Sequence, residues 1–176
     1  MTLRPSFIDR TEVTNAAYKT WARESFPAEE REWPAAFVTW DKAVTYCASL
    51  DKRLPTEAEW EFAAGEGTPA EFPWGDELPD PTKGNWLGTG LGKPTRVGSY
   101  PPTRAGLYDM AGNVWEFVQD TWKDNYEDNA PFSHDRRVIR GGSFGGAPIN
   151  LRVRFRDSHP ANGAAAHVGF RCARAE

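Results

Sequence analysis

The segment from Gly106 to Glu116 constrains the fold more than any other part of the chain. It sets two carboxylates, Asp109 and Glu116, on either side of a Gly112-Asn113 pair. Gly and Asn tolerate tight or left-handed backbone, and a turn of this kind directs carbonyl oxygens inward instead of into a helix or sheet. Two carboxylates with several carbonyls are the oxygen ligands that calcium prefers. The segment therefore predicts either a calcium site or a turn capped by Asn113 whose Glu116 pairs with an arginine.

The composition favours one loop-rich domain over residues 1–176. The chain has 8 Trp, 16 Gly and 14 Pro, a combination typical of irregular segments pinned by buried aromatic rings. Its net charge of −4 argues against a nucleic-acid-binding function. No apolar run approaches the roughly 20 residues of a membrane span. The N-terminus has no apolar signal core, which favours a cytoplasmic protein or a processed fragment.

Hydrophobic periodicity predicts three short helices and several short strands, a mixture that indicates an α+β fold. One helix begins after Thr14, a second at Trp40, and a third after the capping box of Thr56 and Glu59. The second helix is expected to direct Ala43, Val44, Cys47 and Leu50 inward. Strands are predicted at residues 7–10, 97–100, 117–126, 138–144, 151–156 and 168–173, and the polar stretch 127–135 is expected to be mobile.

Two further patterns carry weaker signals. Arg152, Arg154 and Arg156 alternate with apolar residues at a period of two. This row of guanidinium groups pairs either with acidic residues from the first half of the chain or with an anionic partner. The three histidines, His134, His159 and His167, lack metal-ligand spacing.

Six segments together make the chain resemble the formylglycine-generating enzyme family over nearly its whole length. They are residues 8–15, 52–61, 72–75, 106–116, 140–144 and 169–172. The resemblance implies a C-type-lectin-like variant of the α+β class with little regular secondary structure. Family members usually carry an additional apolar strand before the segment that begins at Ile8. Either the fold is complete without that strand, or an exposed sheet edge pairs with a larger partner subunit.

The resemblance also implies a pocket that has lost its chemistry. Active members bind Cu(I) through a cysteine pair after the Gly-Gly-Ser motif and oxidise a substrate cysteine to formylglycine. That pair falls here on Gly145 and Asn150, and neither supplies the thiolate that Cu(I) requires. A family asparagine falls on His167, while Ser143 and Trp115 of the pocket are retained. We therefore expect a degenerate pocket with no catalytic residue and no copper.

The two cysteines of the chain, Cys47 and Cys172, match a structural pair of the family. The resemblance implies a disulfide, or two buried thiols in a reducing cytosol. Two unrelated buried cysteines are the alternative. A second family pair falls on Ala64 and Phe155, which would fill the same space without a bridge.

Calcium is the ion that the resemblance implies. The better family site falls on four residues, of which the middle two would contribute carbonyl oxygens: Asp109, Gly112, Val114 and Glu116. A second site falls on Asn85 and the Trp86 carbonyl, with Thr89 in place of a carboxylate, which should weaken it. An internal arginine or an ordered water in place of the ion is the alternative.

These assignments predict a non-catalytic domain that binds a protein partner or assembles as a subunit. The expected contact region is residues 143–149, with Trp115, His167 and the arginine row. The alternative is a formylglycine-generating-type oxidoreductase that acts on a cysteine or another residue of a protein substrate, including an oxidase that uses His167. A carbohydrate-binding lectin would need an exposed calcium, and the bulky neighbours of Asp109 and Glu116 favour a buried one.

Overall fold

A computed structural model describes residues 6–124 and 132–176. Three helices and six strands follow one another in these residues, connected mainly by turns and irregular segments. They are β1 (Ser6–Ile8), α1 (Asn15–Ala22), α2 (Trp40–Ala48), α3 (Glu57–Gly65), β2 (Trp115–Lys123), β3 (Phe132–Arg140), β4 (Arg156–Pro160), β5 (Val168–Phe170) and β6 (Ala173–Ala175). The end of the predicted strand 117–126 and most of the polar stretch 127–135 lie outside the described residues.

The strands form two sheets. The larger sheet has the order β4-β3-β2-β5, in which β2 is antiparallel to β3 and parallel to β5. In the smaller sheet β1 pairs antiparallel with β6, so that Phe7 lies opposite Arg174. Segregated helices and a mostly antiparallel sheet give the predicted α+β class.

The helix starts follow the predicted capping residues. The Thr14 hydroxyl accepts a hydrogen bond from the Ala17 N–H, and Thr56 and Glu59 form the reciprocal capping box of α3. Helix α2 begins at Trp40 as predicted but ends at Ala48. The predicted inward position of Leu50 is therefore wrong, because this residue lies beyond the helix and its side chain is 48% exposed.

Two predicted strands do not form. Residues 97–100 are turn and bend, and the Gly98 N–H donates to the Asp109 carboxylate instead of to a neighbouring strand. In place of the strand predicted at 151–156, residues 148–151 form a 3-10 turn and β4 begins only at Arg156. Leu151 and Val153 are nevertheless buried. The alternation of apolar and charged residues therefore reflects the burial of the apolar side chains and does not indicate pairing in a strand.

Two members of the arginine row, Arg152 and Arg156, pair with acidic residues of the first half of the chain. Arg152 forms an ion pair with Glu71 at 2.7 Å, and Arg156 forms one with Glu57 at 2.9 Å. This pairing was the alternative to recognition of an anionic partner. It ties the segment after the 3-10 turn to the loop that follows α3 and to the start of α3.

The largest core cluster joins α1 and α2 to the strands β2 and β5. Phe170 contacts the rings of Tyr18 and Tyr46 edge-on, with centroids 5.9 and 5.6 Å apart. Cys47 and Cys172 are fully buried in this cluster and are joined by a disulfide with a sequence separation of 125. The bridge fixes α2 to the segment that connects β5 and β6.

Removing this disulfide is expected to destabilise the protein strongly. In the chain-entropy model, a crosslink that closes a loop of this length contributes up to about 4 to 5 kcal/mol. A Cys47→Ala/Cys172→Ala variant should show a loss of this order in urea unfolding. Thiol titration of the denatured wild type should find free thiols only after reduction. Equal free energies of unfolding for the variant and the oxidised wild type would contradict the assignment.

The ion pair at the start of α3 predicts a pH-dependent contribution to stability. Two hydrogen bonds of 2.7 Å from Arg53, with help from Thr56, lower the pKa of Glu59 to about 2. Because the folded pKa lies below the unfolded one, this stabilisation is present above the unfolded pKa and is lost as the pH falls through about 2. Glu59→Gln should lower the free energy of unfolding by about 1 kcal/mol at pH 7, since solvent screens the pair. Urea unfolding from pH 7 to 2 checks this, and a pH-independent difference would contradict it.

Candidate functional site

A buried ion pair lies behind the central segment 106–116. Arg171 donates from Nε and Nη2 to the two carboxylate oxygens of Glu116, each at 2.7 Å, and the Trp60 indole donates to the same carboxylate at 2.8 Å. Arg171 also donates to the carbonyls of Asp9 and Tyr108. Both charged side chains are almost completely inaccessible to solvent. The structure thus gives Glu116 an arginine partner, which was the alternative to its role as a calcium ligand.

Glu12 and Asp109 form a second acidic centre beside this pair. Glu12 is 1% exposed and Asp109 is 7% exposed. The Asn113 amide donates to Glu12 Oε1 at 3.0 Å, and the Gly98 N–H donates to Asp109 Oδ2 at 2.6 Å. The remaining oxygens, Glu12 Oε2 and Asp109 Oδ1, have no hydrogen-bond partner among the described residues.

The environment of the two carboxyl groups disfavours their charged forms. Burial, and then the charge of Asp109, raises the pKa of Glu12 well above its usual value. Burial likewise raises the pKa of Asp109. The two carboxyl groups are close enough to influence each other's pKa. A shared proton or a bound cation must therefore offset their repulsion.

The charge balance of this centre fits a divalent cation. When ionised, the carboxylates of Glu12, Asp109 and Glu116 and the guanidinium of Arg171 together carry a net charge of −2. No three His, Cys, Asp or Glu side chains of the described residues converge as a complete metal shell. A calcium ion here would be held by Glu12 and Asp109, with backbone carbonyls and water completing its oxygen shell.

The predicted backbone ligands lie in the tight turn that the sequence indicated. Gly112 has φ +92° and Asn113 has φ +63°. A Cβ on Gly112 would lie 2.3 Å from the Asn85 carbonyl oxygen, so only glycine allows this close approach. Val114 is fully buried and directly precedes β2. The turn therefore brings the first predicted calcium site against the second one, at Asn85.

At the second predicted site, a hydroxyl meets the predicted ligand oxygens. Thr89 Oγ1 lies 3.2 Å from Asn85 Oδ1 and 2.8 Å from the Trp86 carbonyl oxygen. The Asn85 amide donates to the Lys93 carbonyl at 2.9 Å and to Asn113 Oδ1 at 3.2 Å. The oxygens expected to bind an ion are thus engaged by the protein itself.

The predicted pocket residues fall into two groups of contacts. In the loop after β3, the Gly146 N–H donates to the Ser143 carbonyl, and Asn150 Oδ1 accepts from the Ala147 N–H at 2.8 Å. Asn150 therefore caps the 3-10 turn, and Gly145 adds no side chain. Neither position that the resemblance assigns to a copper ligand has a side chain suited to bind copper.

The second group of contacts surrounds Trp115 and His167. The backbone N–H of Trp115 donates to the backbone carbonyl of His167 at 2.8 Å. The ring centroids of Trp115 and Phe155 are 6.1 Å apart, and those of His167 and His159 are 6.2 Å apart. Burial lowers the pKa of His159. Sequence analysis missed His159 as a neighbour of His167 because no spacing pattern links the two residues.

The family model described as "Sulfatase-modifying factor enzyme 1-like domain" matches residues 1–176. The chain belongs to this family. It is 36% identical over 161 residues to the inactive C-alpha-formylglycine-generating enzyme 2 of Mus musculus, a match that covers 82% of this chain and 50% of the relative. It is also 36% identical over 166 residues to the formylglycine-generating enzyme of Thermomonospora curvata, covering 80% and 55%. The chain thus spans about half the length of these curated relatives.

Solved structures show the same fold. Treponema denticola variable protein 1 superposes with a TM-score of 0.86 at 23% identity, covering 97% of this chain and 84% of the other. PvdO from Pseudomonas aeruginosa superposes with a TM-score of 0.79 at 28% identity, covering 96% and 80%. The expected C-type-lectin-like α+β fold of the sulfatase-modifying factor family is confirmed.

The acidic centre of this family member predicts a stability response to calcium. Calcium at 100 times its dissociation constant would stabilise the folded protein by about 2.7 kcal/mol. We expect calcium to raise the Tm of the chelator-treated wild type. The Glu12→Gln variant should lose that response, since it keeps the size of the side chain but removes one charge.

Glu57→Gln is the matched control, because Glu57 is equally buried but pairs with Arg140 and Arg156. This variant should have a lower Tm and keep the calcium response. Thermal unfolding with and without chelator provides the measurement. A wild type that does not respond to calcium, or an undiminished response in Glu12→Gln, would exclude the proposed ligand set.

Proposed function

We propose that this domain is a non-catalytic member of the sulfatase-modifying factor family that acts as a protein-binding or assembly subunit. The observation that carries the proposal is that both cysteines of the chain lie in a buried disulfide. The chain has two cysteines, and both are consumed by the buried Cys47–Cys172 disulfide. No thiolate is left for Cu(I) or for redox chemistry in the pocket.

The loop after β3 supports the same proposal. Gly145 has no functional group, and the Asn150 side chain is used to cap a turn. The relative from Mus musculus is named an inactive formylglycine-generating enzyme. A pocket without the copper-binding cysteine pair on a retained scaffold favours recognition over chemistry.

Exposed apolar side chains lie beside this loop. Leu87 is held next to it by a hydrogen bond of 3.1 Å from its N–H to the Gly146 carbonyl. Leu87, Leu91 and Ile149 are all exposed. Exposed apolar groups that lie close together are typical of protein interaction surfaces. We therefore place the proposed contact surface on these three residues and the loop 143–149.

A structural calcium ion at Glu12 and Asp109 completes the proposal. Its role would be to neutralise the buried carboxylates and to hold the central segment against the N-terminal one. A larger subunit that continues the N-terminal sheet edge stays a prediction, as does a cytoplasmic location. The disulfide favours an oxidising compartment. No helix of the described residues is long and apolar enough to cross a bilayer.

An oxygen-uptake assay separates this proposal from the oxidoreductase alternative. The domain, supplied with Cu(I) and a cysteine-containing peptide, should consume no oxygen and leave the peptide mass unchanged. The formylglycine-generating enzyme of Thermomonospora curvata serves as the positive control. Formation of formylglycine in the peptide would overturn the non-catalytic assignment.

A pair of surface variants tests the binding role. Ile149 and Leu50 are each 48% exposed, but only Ile149 borders the degenerate pocket. We expect a partner isolated from the native source to bind the wild type and Leu50→Asp equally, and to bind Ile149→Asp at least tenfold more weakly. Titration with the purified partner measures the affinities. Equal losses in both variants, or no partner at all, would contradict the proposed surface.

A further inference from the structure

The residues around Asn85 do not fit the second calcium ion that the family resemblance implies. We propose that the Thr89 hydroxyl has taken over the structural role of that ion, so that hydrogen bonds alone hold this site. The proposal concerns a different part of the molecule from the pocket, and it holds whether or not the domain is catalytic.

The Thr89 hydroxyl is fully engaged by neighbouring groups of the protein. Its Oγ1 lies 2.8 Å from the Trp86 carbonyl oxygen and 3.2 Å from Asn85 Oδ1, so its single proton is shared between the two acceptors. As an acceptor it receives the Leu91 N–H at 3.3 Å. The side chain thus contacts both oxygens that the family would use as ion ligands. A cation at this position would have to displace the hydroxyl from them.

The oxygen atoms around Asn85 carry no negative charge. The available oxygens belong to an amide, a peptide carbonyl and a hydroxyl, and all three are neutral. The sequence from Asn85 to Thr95 contains no Asp or Glu, and it contains Lys93. Calcium affinity in oxygen sites depends strongly on the number of charged ligands. This set therefore lacks the charge needed to compensate the dehydration of a calcium ion.

The site around Asn85 also differs from the Glu12–Asp109 centre in its hydrogen bonding. That centre has two buried carboxylate oxygens without a hydrogen-bond partner, whereas every side-chain nitrogen and oxygen of Asn85 and Thr89 has one. Unpartnered buried oxygens are the mark of a site that needs an ion or a proton. The two centres are joined through Asn113, which contacts both Glu12 and Asn85.

The hydroxyl network also explains how the loop is held without an ion. The Asn113 N–H donates to the Asn85 carbonyl at 2.7 Å, and the Thr89 N–H donates to the Trp86 carbonyl at 2.9 Å. These bonds fix the 3-10 turn Leu87–Thr89 against the central turn. Loss of the hydroxyl would leave Asn85 Oδ1 without this donor.

Calcium stoichiometry tests the proposal directly. Thr89→Asp restores a charged ligand and is expected to bind one more calcium ion per chain than the wild type in equilibrium dialysis. Thr45→Asp is the control for added charge, because Thr45 is an exposed threonine whose hydroxyl also donates to a backbone carbonyl. That control should bind the same number of ions as the wild type. A folded Thr89→Asp with the stoichiometry of the wild type would overturn the proposal.

Thermal unfolding in chelator gives an independent test that does not require Thr89→Asp to fold. Thr89→Val removes the hydroxyl at nearly constant volume and should lower the Tm by roughly 4 °C, while Thr89→Ser should stay close to the wild type. The deficit of Thr89→Val should be the same with and without calcium. A wild-type calcium ion that is lost in Thr89→Val, or an unchanged Tm, would show that the hydroxyl does not have this role.

Discussion

The buried ion pair between Arg171 and Glu116 holds together parts of the chain that regular secondary structure does not connect. Its hydrogen bonds reach the N-terminal segment at Asp9, the central segment at Tyr108 and helix α3 at Trp60. Removing two charges from water is costly, and a buried pair is tolerated only when its hydrogen bonds are satisfied. Here the guanidinium meets two carboxylate oxygens and two carbonyls. The pair therefore specifies the arrangement of the loops more than it adds net stability.

The same pair decides the electrostatics of its surroundings. Because Arg171 forms its ion pair with Glu116, the neighbouring Glu12 and Asp109 remain as buried carboxyl groups without an ion-pair partner of their own. Their unpartnered oxygens lie against a turn whose backbone is left-handed at Asp109, Gly112 and Asn113. Asn113 thus lies between two different centres. The one at Glu12 and Asp109 requires a counter-charge or a proton, whereas in the one at Asn85 neutral groups form hydrogen bonds with one another. The difference follows from the side chains present, which are carboxyl groups at Glu12 and Asp109 but an amide and a hydroxyl at Asn85 and Thr89.

Local sequence signals predicted the features that depend on neighbouring residues. The N-cap at Thr14, the capping box at Thr56 and the start of α2 are all set within four residues, and the structure has each of them. The strand predicted at 97–100 failed because a distant carboxylate, Asp109, takes its backbone N–H. Glu12 escaped notice for a similar reason, since its partners Asn113 and Asp109 lie about a hundred residues away. Periodicity carries no information about contacts that only the tertiary fold creates.

The architecture shows that the fold does not depend on cysteines in the loop after β3. The loop 143–151 is held by its own backbone and by the Leu87 N–H, and Asn150 contributes a turn cap in place of a reactive group. Neither contact requires sulfur, while the structural disulfide lies in a separate core cluster with α1 and α2. Chemistry and scaffold are thus physically independent in this molecule. The exposed side chains of Leu87 and Ile149 lie outside the core clusters, so the surface of this region can change while the packing of the core stays the same.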